Sequence, residues 1–259
     1  MAEHVTTAVD GRVATVTIDR PEKLHALDRA VLEGLIEAFT DLPGAVCVAI
    51  LRTTGDTAFV AGADMNEFRR ADDRTEFLAF QRLEREANLA IAEAPAVVIA
   101  AVDGVAFGGG FEVALACDLL VAGEGAQLGF PEVKRGLIPG ATGGAQWLAR
   151  LVGVPTAIEL IATGEPISAH EAHRLGIANR VVPDGEVADE TAGLAETLAT
   201  NAPLAVKAAK RVVRASAYDD LATVFSLGEE LTGNLFETDD AREGVDAFFE
   251  DREPQFVGR

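Results

Sequence analysis

Asp103-Gly104-Val105-Ala106-Phe107-Gly108-Gly109-Gly110-Phe111-Glu112-Val113-Ala114-Leu115-Ala116-Cys117-Asp118 is the stretch on which the reading of this chain turns. Consecutive glycines at 108 to 110 let the backbone turn tightly and present bare N–H groups to a ligand. The residues that follow have a helical pattern, which sets those groups at the positive end of a helix dipole. Glu112 then stands among apolar residues through a full helical turn. A carboxylate in such company costs free energy unless it is paired, protonated or used. Backbone donors beside it point to chemistry on a carbonyl.

Strands and helices extend outward from this turn. Ala96 to Ala101 reads as a buried strand running into it, and Cys47-Val48-Ala49-Ile50-Leu51 as another. Arg12 to Ile18 alternates as a strand ended by Pro21, and Leu119 to Ala122 is a further short strand. Ala30 to Thr40 has helical spacing with Asp28 as its N-cap, and Glu76 to Ala92 is a charged amphipathic helix. From Gly144 onward the pattern is helical, broken near Pro155, Pro166, Pro183 and Pro203. Strands separated by helices, with no low-complexity linker, predict a layered α/β core.

Composition narrows the function classes. With 259 residues, 49% of them hydrophobic, the chain can bury an ample core. The longest apolar run, Pro95 to Val102, is too short to cross a bilayer. Met1-Ala2-Glu3-His4-Val5 lacks the regions of a signal peptide, and Cys47 and Cys117 imply no disulfide framework. The expectation is a cytoplasmic protein without membrane association. Acidic residues number 42 against 22 basic ones, a net charge of −20, which argues against nucleic-acid binding. A phosphate-bearing ligand would need a local basic site.

Common catalytic motifs are absent. No Gly-Lys-Ser/Thr follows a glycine loop, the glycine triplet lacks dinucleotide spacing, and no Gly-x-Ser-x-Gly elbow occurs. His170 and His173 have the wrong spacing for a helical zinc site and read as surface residues, so no metal site is expected. Two other segments draw notice. Thr57 to Met65 is a small-residue loop where backbone can approach a ligand, although Asp64 could equally cap the next helix. In Gly129-Phe130-Pro131-Glu132-Val133, Pro131 fits a first helical turn, where Glu132 would simply favour the dipole.

Taken together, these segments resemble the enoyl-CoA hydratase/isomerase, or crotonase, family. The likeness rests on Arg20-Pro21-Glu22-Lys23-Leu24-His25-Ala26-Leu27, Phe59-Val60-Ala61-Gly62-Ala63-Asp64, the stretch from Asp103 to Asp118, and Phe130-Pro131-Glu132 with Gly136-Leu137-Ile138-Pro139. Ala162 to Ala169 and Gly176 to Pro183 extend it over essentially the whole chain.

The resemblance implies an α/β fold, a crotonase-like spiral of ββα turns over residues 1–190, with a C-terminal helical trimerisation region over 191–259. It implies an acyl-CoA thioester as substrate, no cofactor beyond the coenzyme A that the substrate carries, and a homotrimer or homohexamer. An oxyanion hole would be formed by the N–H groups of Ala63 and Gly109, each within about 3 Å of the thioester oxygen. Lys23, Leu24, Ala26, Ala61, Gly62, Asp64, Met65 and Phe256 fall at substrate- and CoA-binding positions, Phe256 often serving a neighbouring subunit. Glutamate stands at both hydratase positions, Glu112 for water activation and Glu132 for proton donation at the α-carbon, with Gly140 holding the water. The expected reaction is hydration of a 2-enoyl-CoA to a 3-hydroxyacyl-CoA. An isomerase, a specialised acyl-CoA dehydratase and a non-catalytic acyl-CoA- or RNA-binding relative are the alternatives.

The chain departs from the family pattern in places. His25 replaces a commoner asparagine, which would alter the loop near the CoA adenine. The segment from Pro139 to Gly144 is about one residue longer than usual. Near the C-terminus Glu250-Asp251-Arg252 is acidic where basic residues are frequent, leaving Lys23 and Arg252 as candidates for phosphate contacts.

Overall fold

Strands alternate between two sheets, and most such pairs are followed by helix. In chain order the strands are β1 (Val5–Asp10), β2 (Val13–Ile18), β3 (Val48–Thr53), β4 (Ala58–Val60), β5 (Val97–Val102), β6 (Val105–Phe107), β7 (Leu119–Gly123), β8 (Gln127–Gly129), β9 (Ile167–Ser168) and β10 (Arg180–Val182). The helices are α1 (Arg29–Thr40), α2 (Met65–Arg70), α3 (Arg74–Glu93), α4 (Gly109–Ala116), α5 (Gly144–Val152), α6 (Val154–Thr163), α7 (Ala169–Arg174), α8 (Val187–Ala199), α9 (Pro203–Ser216), α10 (Leu221–Phe236) and α11 (Asp239–Glu250). Short 3-10 turns lie at Pro21–Lys23 and Pro131–Arg135. This computed structural model describes residues 4–259, so the first three residues of the N-terminal expectation fall outside it.

The larger sheet has the order β1-β2-β3-β5-β7-β10, parallel except for the β1–β2 hairpin. The smaller runs β4-β6-β8-β9, with only β8–β9 antiparallel. Each of β3, β5 and β7 thus hands the chain to β4, β6 or β8 in the second sheet before the next helices, which is the ββα spiral expected.

The large sheet is covered on both faces, as parallel sheets require. Ala49, Leu51, Val98 and Ala100 pack into the main core with α1, α3 and α4, while Val48, Ile50 and Ile99 face Val187 and Leu194 of α8. Residue 190 therefore falls inside a helix that packs on the sheet. Asp28 caps α1 by accepting from the Val31 N–H at 3.0 Å, as its sequence position predicts.

Candidate active site

Two loops of the small sheet meet at one cavity. Gly108 ends β6 with φ 54°, a left-handed conformation natural to glycine, and its N–H donates to the Gly129 carbonyl on β8 at 2.9 Å. That turn starts α4 at Gly109, whose N–H has no preceding helical carbonyl to reach. After β4, Leu27 N–H donates to Gly62 O and Asp64 N–H to Leu27 O, both at 2.8 Å, so the segments around Leu27 and Ala63 run side by side. The Ala63 and Gly109 N–H groups themselves donate to no other backbone group among the described residues. A β-carbon placed on Gly109 would stand 3.5 Å from the Ala63 nitrogen. Both residues line a cavity of about 160 Å³ together with Glu112 and Glu132.

The two carboxylates reach that cavity from different elements. Glu112 lies one turn into α4, 3% exposed, and its Oε1 accepts from the Thr142 hydroxyl and from the Gly144 N–H at 3.1 Å. Glu132 sits in the first turn after Pro131, with Oε1 3.1 Å from where a Gly108 β-carbon would lie. Its Oε2 is buried without a hydrogen-bond partner among the described residues. Burial drives the Glu112 carboxyl up to about 7 against the pull of Thr142 and Gly144, with repulsion from Glu132 adding to the rise. Glu132 is raised as well, chiefly by burial.

Ala61, Gly62 and Met65 join Ala63 on the cavity wall. Lys23, Leu24 and Ala26 do not line it, but the Ala61 N–H donates to Leu24 O at 3.1 Å and fastens their loop beside it. Lys23 is exposed and forms no ion pair among the described residues. Asp64 caps α2 through Asn66 and pairs with Arg20 at 2.9 Å, so its carboxylate is occupied in holding the Ala63 loop. His25 is 2% exposed: its Nδ1 accepts from Arg20 N–H and its Nε2 donates to Thr54 O. Burial lowers its pKa, so this residue acts as a neutral internal brace of the loop.

Gly140 and Phe256 do not line the cavity. Pro139 and Thr142 line it on either side of Gly140, whose carbonyl accepts from Gln146 at 2.8 Å, and the loop N–H that reaches Glu112 belongs to Gly144. Phe256 packs near Gly244, and its carbonyl accepts from Arg12 at the start of β2. Arg252 is engaged by Glu243 and Glu250. Among the described residues no cluster of His, Cys, Asp and Glu is arranged to hold a metal, and no helix is long and apolar enough to cross a membrane.

Three side chains at the site escape sequence reasoning. Thr142 is buried and donates to Glu112, while its own carbonyl accepts from Asn88 Nδ2 at 3.0 Å. Asn88 belongs to α3, as does Glu84, a third carboxylate on the cavity wall. The available signal is helical spacing: positions 77, 80, 84, 87, 88 and 91 share one face of α3, and Glu84 and Asn88 interrupt its apolar stripe.

A two-sheet ββα spiral thus gathers around one small cavity the Ala63 and Gly109 N–H groups, without backbone acceptors among the described residues, and three carboxyl side chains. The family model for enoyl-CoA hydratase/isomerase matches residues 9–259, and the chain belongs to that family. It is 37% identical to a short-chain-enoyl-CoA hydratase of Clostridium acetobutylicum, over 94% of this chain and 93% of that one. Identity to the 2,3-dehydroadipyl-CoA hydratase of Escherichia coli is 38%, covering 96% of each. Among solved structures, an enoyl-CoA hydratase from Bacillus anthracis superposes with a TM-score of 0.94 at 35% identity, covering 99% of this chain and 100% of the other.

Proposed function

We propose that this enzyme is a hydro-lyase adding water across the double bond of 2-enoyl-CoA thioesters to give 3-hydroxyacyl-CoA. The observation that carries the reading is the pairing of Glu112 with Glu132 across the cavity that Ala63 and Gly109 border. Hydration needs a carboxylate to take a proton from water and a carboxylic acid to deliver one to the α-carbon. Thioester oxygen accepts from the Ala63 and Gly109 N–H groups, which stabilise the enolate-like charge as water adds at the β-carbon. Two donors on Glu112 Oε1 favour that residue as the base; Glu132, with a buried Oε2 that meets no donor among the described residues, is left to hold and deliver the proton. Lys23, exposed and without an ion pair among the described residues, is one cation available to the CoA phosphates.

The pair titrates as a unit, and its singly protonated state is the active one. The profile of kcat/KM against pH is therefore bell-shaped. Its alkaline limb, where the last proton leaves, lies above the usual carboxylate range, because both carboxyls are raised by burial and keep a proton to higher pH. On the acid side activity falls as a second proton neutralises the base. A flat profile from pH 5 to 9 in steady-state assays on crotonyl-CoA contradicts this scheme.

Thr142→Val tests the support of Glu112. Removing a donor to the charged form raises the pKa of the Glu112 base, so the acid limb moves to higher pH. The rate at pH 7 falls by about tenfold, the worth of a hydrogen bond to a charged group. An unchanged profile would assign Thr142 to packing alone.

A homo-oligomer is supported by the rings left bare on the C-terminal helices: Phe236, Phe248 and Phe249 are each 80% exposed or more. Apolar surface of this kind marks an interface. Light scattering of the purified protein is expected to give the mass of a trimer or hexamer, and a monomer mass would refute it.

A further inference from the structure

Glu84 is a buried ionisable group on the cavity wall that hydration leaves unused. It sits on α3, 3% exposed, on the wall of the catalytic cavity beside Gln81, whose amide donates to Glu84 Oε2. The other oxygen, Oε1, has no hydrogen bond from any described residue, and it lies 3.2 Å from where a Gly109 β-carbon would be. It therefore flanks the donors proposed to hold the thioester oxygen. Burial and repulsion from Glu112 and Glu132 hold the carboxyl well above the usual carboxylate range, which favours the neutral acid. With Oε2 accepting from Gln81, the proton falls on Oε1 as a donor facing the cavity.

A purely aliphatic acyl chain filling this cavity would seal Oε1 away from water with nothing to bond. Leaving a buried donor unsatisfied weakens binding of such a chain by about tenfold. An acyl chain carrying a hydroxyl or carbonyl oxygen removes that cost. A carboxylate on the chain is disfavoured, because it would join three carboxyl groups around one small cavity. Among the described residues Arg135 is the cation on the cavity wall, and it is exposed at the surface, with the Pro131 carbonyl as its hydrogen-bond partner.

We infer that Glu84, oriented by Gln81, is a specificity-determining residue that selects 2-enoyl-CoA thioesters with an uncharged hydroxyl or carbonyl group beyond the double bond. This inference rests on the hydratase reading for its substrates, and its test separates the two.

Wild-type enzyme, Glu84→Leu and Glu84→Gln are assayed on 2-hexenoyl-CoA, its 4-hydroxy and 5-hydroxy derivatives, and a 2-enoyl-CoA with a terminal carboxylate. Binding of hexanoyl-CoA and 5-hydroxyhexanoyl-CoA, which cannot be hydrated, is measured in parallel by calorimetry. The expected result is a kcat/KM about tenfold higher for one hydroxylated chain than for the plain chain, lost in Glu84→Leu and largely kept in Glu84→Gln, whose amide still donates. A merely structural role would lower all substrates together and leave their ratio unchanged, which overturns the inference. Preference for the carboxylate-bearing chain overturns it too. If no thioester is hydrated while the hydroxylated one still binds tighter in a Glu84-dependent way, the hydratase reading fails and the subsite stands. Hydration with an unaltered ratio has the opposite meaning.

Discussion

Glu132→Gln lowers kcat for hydration of crotonyl-CoA by at least about a hundredfold, the lower end of what a positioned acid–base group supplies. The substitution keeps size and shape, so its effect isolates the proton. Glu132 follows Pro131 on a short 3-10 turn, with one oxygen beside Gly108 and the other buried without a partner among the described residues. An amide in that place can occupy the space but cannot deliver a proton to the α-carbon. Binding of a saturated acyl-CoA is expected to hold within a few-fold, since the backbone donors at Ala63 and Gly109 are untouched. Stopped assays on the purified variant, with calorimetric titration of butyryl-CoA, measure both. Near-wild-type kcat would remove Glu132 from the chemistry and with it the two-carboxylate scheme.

Gly110→Ala is expected to destabilise the fold by about 3 kcal/mol or more, at the upper end for overpacking a tight core. A β-carbon there would lie 2.0 Å from the Val60 carbonyl oxygen and 2.7 Å from its carbon, and backbone cannot yield as a flexible side chain does. β4 is buried throughout and α4 at every residue but Leu115, so relief requires moving one of them. The same shift would part Ala63, three residues beyond Val60, from Gly109, and activity falls with stability. Urea unfolding of the variant, or its failure to accumulate as folded protein, registers the effect. A stability within about 0.5 kcal/mol of wild type, the range of an ordinary surface substitution, would contradict the packing described. The three glycines thus have separate duties: Gly108 turns the chain, Gly109 presents its N–H, and Gly110 lets helix and strand touch.

Much of the central fold is legible in the sequence because its strands are buried on both faces. Cys47 to Leu51, Ala96 to Ala101 and Leu119 to Ala122 stand out as apolar runs and correspond to β3, β5 and β7. The second sheet is nearly invisible, since β4, β6 and β8 are three residues each, too short to show a period. β1 is hidden for another reason: only Val5 of its residues is buried, so its pattern is that of an exposed edge. Without these strands periodicity alone yields a layered α/β class, and the resemblance supplies the spiral.

The site divides in the same way. Glu112 announces itself as a charge in an apolar helix. Glu132 has an ordinary explanation as a residue at a helix start, and only its partner gives it meaning. Glu84 is concealed by its neighbours, because Arg82, Arg85 and Glu86 make charge unremarkable on α3, and burial alone separates it from them. Thr142 lies in a loop whose path no local pattern fixes, so its bond to Glu112 becomes visible only in three dimensions.

Incubation of the purified protein with crotonyl-CoA in water enriched in the heavy oxygen isotope, followed by mass analysis of the thioester, tests the central claim most directly. The expected product is 3-hydroxybutyryl-CoA carrying one labelled oxygen at the β-carbon, formed without added metal or redox cofactor. Unchanged crotonyl-CoA, together with conversion of a 3-enoyl-CoA to its 2-enoyl isomer without uptake of label, would contradict it.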